Sequence, residues 1–350
     1  MRISDAIEPA TRVALVGLAK NTGKTVTLGA ILSELEARGE TIGVTSIGRD
    51  GEASDALDDA IAKPPILLPP MALVATTEPL LERSEARAES VVRTPHRTPL
   101  GRVVIARLLE RGAVEVAGPT AAQDVGEVVE TMRRLGAERL LVDGSIDRRA
   151  GASPRLADGV VMSTGAVLSA DLDQLVRRTK AAVELLTLPA VEDAELHARA
   201  AALTSSALLC DGGEAIPLES SIVHDRVEAI VPLLRERADV RAVVVRGALV
   251  EPLLDQLGRV RRPAPLTAIA DDATRVFLRG GTVGRCRARG VELAVLQPIP
   301  LLAVTTNPVA PLRHHFDPHE LRARIAAELP GVPVLDVLAG APEPAAAVPA

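Results

Sequence analysis

The stretch RVALVGLAKNTGKTVTLGAILSELEARG, Arg12 to Gly39, constrains the fold of this chain more than any other. Val13 to Gly17 is a short apolar run that fits a buried parallel strand. Lys24 to Arg38 has the apolar spacing of an amphipathic helix, and Gly39 closes it. Between them lies a turn of small and polar residues. Strand, small-residue turn and helix in that order can aim several backbone N–H groups at one point, where the helix dipole favours an anion. Gly17 and Gly23 have five residues between them, one more than the commonest Gly-x4-Gly-Lys-Thr pattern.

In such a turn Gly23 lets the backbone approach a phosphate chain with no Cβ in the way. Lys24 would hold the outer phosphates as a cation and Thr25 would offer its hydroxyl to magnesium. Gly17, Lys20, Asn21, Thr22 and Val26 complete the expected nucleotide-binding loop. The competing structural reading is a strand-turn-helix with an exposed lysine at the helix start. Downstream, ERLLVDGSIDRR ends an apolar strand in Asp143, where a carboxylate holds magnesium directly or through water. The alternative there is an ordinary Asp-Gly turn. Lys24 and Asp143 are the expected catalytic pair. In the acidic segment RDGEASDALDD, Asp50, Glu52 and Asp55 offer a second magnesium ligand. Asp55 reads equally well as a helix cap.

The remaining chain alternates strand-like and helix-like runs. TAAQDVGEVVETMRRLG and SADLDQLVRRTKAAVELL read as helices, and ADGVVMSTG as a strand. TPLGRVVIARLLERG also reads as a helix, capped by Thr98 and ending at Gly112, with His96 before it in a proline-rich surface loop. The alternation predicts an α/β fold, a doubly wound and mostly parallel sheet of P-loop NTPase type with a second, smaller α/β domain or insertion. The expected divisions are a core over 1–191, an inserted or second region over 192–292, a return to the core sheet over 293–340, and a disordered tail, APEPAAAVPA, over 341–350.

Composition narrows the partners. The formal charge is -6, and there is no Trp, no Tyr and only two Phe, so base stacking and a basic nucleic-acid footprint are not expected. Cys210 and Cys286 are too isolated for a disulfide framework or a thiolate zinc site. HHFDPH, His314 to His319, reads as a polar loop and helix start rather than a metal site. With no run of membrane-span length and no basic-then-apolar leader, no membrane association is expected and the location is expected to be cytoplasmic.

GLAKNTGKT has the loop length of the dethiobiotin synthetase-like P-loop class, which also holds cobyrinic acid synthases and MinD-like ATPases. ASDAL resembles the stretch carrying a magnesium-binding aspartate there, which implies that role for Asp55. LLVDGSID falls at the class's second acidic motif, and Asn307 in LLAVTTNPV falls at its base-binding asparagine. The longer strings VGLAKNTGKTVTL, GVTSIGRDGE and LLVDGSIDRRAGASPRLADGVVMSTGAVLS resemble a narrower family, the P-loop subunit of the lysine 5,6-aminomutase reactivase.

That resemblance implies a partner-stimulated ATPase working with a MutS-related ATPase subunit. It would use ATP and Mg2+ to free an adenosylcobalamin-dependent aminomutase of damaged cobalamin. A homodimer is compatible with it. The alternative is a ligase that activates a carboxylate or carbamate, as dethiobiotin synthetase and cobyrinic acid synthase do. Against that alternative, TSIGRDGE has Arg49 where the synthetase places a lysine.

Overall fold

The computed structural model describes residues 1–48, 65–144, 152–311 and 314–339. Asp50, Glu52, Asp55 and Arg49 therefore lie outside the described residues, as does the tail. Of the strands that build the two main sheets, seven come first: β1 (Arg12–Gly17), β2 (Ile42–Ser46), β3 (Leu73–Thr77), β4 (Ala88–Thr98), β5 (Gly101–Leu108), β6 (Arg139–Asp143) and β7 (Gly159–Gly165). Five follow, β8 (Ala207–Cys210), β9 (Ala215–Pro217), β10 (Val240–Val245), β11 (Leu266–Ala270) and β12 (Val291–Val295), and then β13 (Leu301–Asn307) and β14 (Val334–Leu335). The helices that matter here are α1 (Lys24–Ala37), α2 (Ala122–Arg134), α3 (Leu172–Leu186), α4 (Ala194–Ala202), α5 (Glu251–Leu257), α6 (Thr282–Ala288) and α7 (Pro318–Glu328).

Nine strands make one sheet in the order β14-β13-β7-β1-β6-β2-β3-β5-β4, parallel except for the β3–β5 and β5–β4 pairings. The architecture is thus mixed α/β around a large, mostly parallel sheet. Its central strands are apolar on both sides because each face meets helices. Val13 and Leu15 pack with Leu28, Ile31 and Leu35 of α1, while Ala14 and Val16 join Leu175 and Val176 of α3. At the opposite end of β6 from Asp143, the buried Arg139 satisfies the carbonyls of Ile7, Glu8 and Ala10 and pairs with Glu40 at 3.0 Å.

A second sheet, β9-β8-β10-β11-β12, is drawn entirely from the chain between Ala207 and Val295, with β10, β11 and β12 parallel. It has its own apolar cluster, including Val243, Val245, Leu253, Leu254 and Val295. Two short strand pairs, Ile66–Leu68 with Gly112–Val114 and Leu249–Val250 with Val276–Phe277, stand outside both sheets.

One sequence expectation is corrected. Residues 98–112 form no helix; Ala88–Thr98 and Gly101–Leu108 are the two arms of an antiparallel hairpin at the sheet edge. Thr98 belongs to the turn, where its Oγ1 accepts from Leu100 N at 3.1 Å, and Gly101 has φ 124°. Val103, Val104 and Ile105 are all buried, so the apolar run that imitated helical spacing is a strand covered on both faces. His96 accordingly sits in β4, against Asp124 and Glu127 of α2 at 3.6 and 3.3 Å, rather than in a surface loop.

Candidate functional site

The parallel register brings four strand ends together. Leu15 of β1 stands level with Asp143 of β6, Gly17 with Ser163 of β7, and Gly165 of β7 with Asn307 of β13. The turn from Leu18 to Gly23 therefore leaves β1 between Asp143 on one side and Asn307 on the other. This is the carboxyl edge of the sheet, where open α/β folds bind ligands.

The turn is tight for a definable reason. A Cβ on Gly17 would meet Thr22 Oγ1 at 2.7 Å, so the loop folds back directly over that glycine. Thr22 is buried and its hydroxyl donates to the Ala19 carbonyl at 3.0 Å. Asn21 at φ 63° and Gly23 at φ 89° both take left-handed backbone to complete the reversal. Gly23 is the residue before α1 and brings no side chain to cap it. Among the described residues no side chain takes up the N–H groups of its first turn, the kind of position that favours an anion.

Lys24 is the first residue of α1. Its ammonium lies 2.7 Å from Asp143 Oδ1 and donates to the Gly144 carbonyl at 2.6 Å. Asp143 is 4% exposed and Lys24 is partly buried, so the lysine and the strand-end carboxylate, far apart in sequence, form one charged unit with its acidic half buried and its basic half reaching the surface. Thr25 and Val26 are exposed beside them, and Lys20 is exposed on the turn. Asn307 donates from Nδ2 to the Asn21 carbonyl at 2.9 Å, and its Oδ1 accepts from Val309 N at 3.1 Å. It braces the loop and shields Gly23, whose added Cβ would come within 3.1 Å of the asparagine Cβ.

A group that sequence reasoning missed lies beneath. Thr27 Oγ1 meets Thr305 Oγ1 at 2.8 Å and Ser163 Oγ at 3.3 Å, and Thr305 donates to Ser163 at 2.9 Å. This buried hydroxyl triangle pins the first turn of α1 onto β7 and β13. Its signal was present as Ser and Thr at strand ends otherwise built of aliphatic residues. His314, on the same side, has Nε2 3.0 Å from both the Ala166 and Ser169 carbonyls, while Asp317 caps α7 through Glu320 N at 2.8 Å. Within the histidine-rich stretch, His314 thus braces the loop after β7 and Asp317 caps α7.

No protein-family model matches the chain, and no curated protein matches it. Among solved structures, the pyruvate kinase from Pyrobaculum aerophilum is similar at 10% identity over 93% of this chain and 95% of that one, with a TM-score of 0.14. That likeness is too low to carry an argument. Among the described residues no helix is long and apolar enough to cross a membrane.

Proposed function

We propose that the chain is a P-loop ATPase whose nucleotide site is the Gly17–Val26 turn, with Lys24 and Asp143 at its centre. The observation that carries this reading is the Lys24–Asp143 pair, its carboxylate buried, at the mouth of a fourteen-residue helix whose N-cap is a glycine. The residues fit a triphosphate and its magnesium. Gly17 stands where a Cβ would collide, Gly23 takes left-handed backbone and brings no side chain to cap α1, and a hydroxyl and a carboxylate flank the lysine. Lys24 would turn from Asp143 toward phosphate oxygens, while Thr25 and Asp143 would hold magnesium. Magnesium, when bound, neutralises charge developing on the transferred phosphoryl group. Asn307, at the far side of the loop, supports a role beside the base.

We infer further that hydrolysis serves a protein partner. The resemblance to the aminomutase reactivase supports an adenosylcobalamin-dependent aminomutase as client, with a MutS-related subunit as companion, in a cytoplasmic setting. Binding of a fluorescent ATP analogue with and without magnesium tests the site. Turnover measured alone and with both proteins tests the role. Magnesium-dependent binding and stimulation only by the proteins are expected. Unchanged binding by Lys24→Ala would overturn the site, and stimulation by a small carboxylate or amine would overturn the role.

A further inference from the structure

Asn307 is the last residue of β13, and a glycine lies against it on each side. A Cβ on Gly165 of β7 would meet the Asn307 carbonyl oxygen at 2.6 Å and its Cβ at 2.8 Å. One on Gly23 would come within 3.1 Å of the same Cβ and 3.8 Å of Nδ2. The asparagine is thus held between two stretches of backbone that approach it closely because neither carries a side chain. Its carboxamide is engaged at both ends, with Nδ2 donating to the Asn21 carbonyl at 2.9 Å and Oδ1 accepting from Val309 N at 3.1 Å.

The carbonyl it holds belongs to the reversal of the loop. Asn21 has φ 63°, a left-handed conformation disfavoured for a residue with a Cβ. In a planar trans peptide the Asn21 C=O and the Thr22 N–H point in opposite directions. Fixing that carbonyl on Asn307 therefore turns the Thr22 N–H away from Asn307 and sets the backbone that leads through Gly23 into α1. Neither phenylalanine is placed to select a base by stacking. Phe277 belongs to the strand pair whose Leu249 and Val276 sit in the apolar cluster of the second sheet. Phe316 packs with the apolar cluster of α3 and α7 and meets His314 edge-on, with 5.3 Å between ring centres.

We propose that Asn307 is a positioning residue for the phosphate-binding backbone rather than the reader of the base, so that the site takes nucleoside triphosphates as a class through their phosphate chain. This rests on the nucleotide reading of the Gly17–Val26 turn. Asn307 stands beside the base in that reading, yet it acts through Asn21, by keeping the left-handed residues Asn21 and Gly23 in place.

Asn307→Ala and the similarly sized Asn307→Leu test it, by titration calorimetry on the full chain with the magnesium complexes of ATP, GTP and inorganic tripolyphosphate. The parent is expected to bind ATP and GTP within about threefold of each other. Each variant should weaken all three ligands by one common factor, about tenfold for a lost hydrogen bond to the loop, with an unfolding midpoint close to the parent's. A variant that loses ATP affinity and keeps that for tripolyphosphate would make Asn307 a base reader and overturn the proposal. Affinities equal to the parent's for all three ligands would overturn it too, as would a parent that favours ATP over GTP by more than about tenfold. Failure of the nucleotide reading itself looks different, since the parent then binds none of the three or Lys24→Ala binds them all unchanged.

Discussion

The two sheets present the same kind of edge and use it differently. At the carboxyl ends of β1 and β6, Lys24 and Asp143 meet at the start of an uncapped helix. At the carboxyl ends of β10 and β11, Arg246 and Asp271 also form a close ion pair. There, however, the charged groups bond to the protein's own backbone and side chains. Arg246 also donates to the Ala200 and Ala201 carbonyls at the end of α4, and Asp272 caps the next turn through Thr274 N at 2.8 Å. Ser153, from the loop that follows β6, closes over it by donating to Asp272 at 3.2 Å. A strand end becomes a site only where local donors are left unspent. Among the described residues the first edge leaves its helix N–H groups without a side-chain acceptor, and the second spends its ion pair on its own helix end and turn.

The contrast is broken or sharpened by substitutions on each side. The largest effect is expected for Lys24→Ala, which should lower magnesium-ATP affinity about a thousandfold, or about 4 kcal/mol, as read by titration calorimetry. Arg246→Ala should do the reverse. Removing it strands Asp271 and frees two helix carbonyls, at a cost of about 3 kcal/mol in denaturant unfolding, with nucleotide affinity within about twofold of the parent. If Arg246→Ala abolished ATP binding while leaving the unfolding midpoint unchanged, the division between a working and a structural edge would be wrong.

A smaller effect separates loop shape from loop charge. Gly23→Ala keeps Lys24 but forces an L side chain to φ 89°, against Asn307 at 3.1 Å. Left-handed backbone costs about 1–2 kcal/mol for a residue with a Cβ, so affinity should fall about tenfold. An affinity equal to the parent's would show that the loop is not held in this conformation when nucleotide binds.

How much of this was legible beforehand follows from the length of the interactions. The strand-turn-helix from Arg12 to Gly39 is built from neighbours in sequence, and its boundaries were readable from apolar spacing and one closing glycine. The approach of Asp143 to Lys24 needed only the rule that strand ends gather at one sheet edge. The hairpin of Ala88–Thr98 and Gly101–Leu108 was not readable in the same way. An apolar run covered on both faces has no period that separates strand from helix, and its identity depends on pairing with β3, which local sequence does not encode. The same holds for the Thr27–Ser163–Thr305 triangle, whose members lie on three separate elements, and for the brace of Asn307 on Asn21, which the shared strand ends bring about.

The smallest expected effect lies on the structural side and concerns pH. Glu251, at the start of α5, is 9% exposed and accepts from Arg279 Nε at 2.9 Å, from Thr282 Oγ1 at 3.0 Å and from Arg285. The Arg279 hydrogen bond, helped by Thr282 and opposed by burial, holds its carboxyl below the ordinary value of 4.5. A carboxylate with a depressed pKa in the folded state stabilises the fold above the unfolded value and loses that contribution as pH falls through the folded value. Glu251→Gln should therefore lower the melting temperature at pH 7 by a modest amount, and the gap to the parent should close as the pH drops below about 4. Because α5 and α6 belong to the second sheet, nucleotide affinity at pH 7 should not move. A gap that widens on acidification would reverse the assigned sign. A change in ATP affinity would show that the second sheet's charges reach the first sheet's edge, and the two edges would then have to be treated as one site.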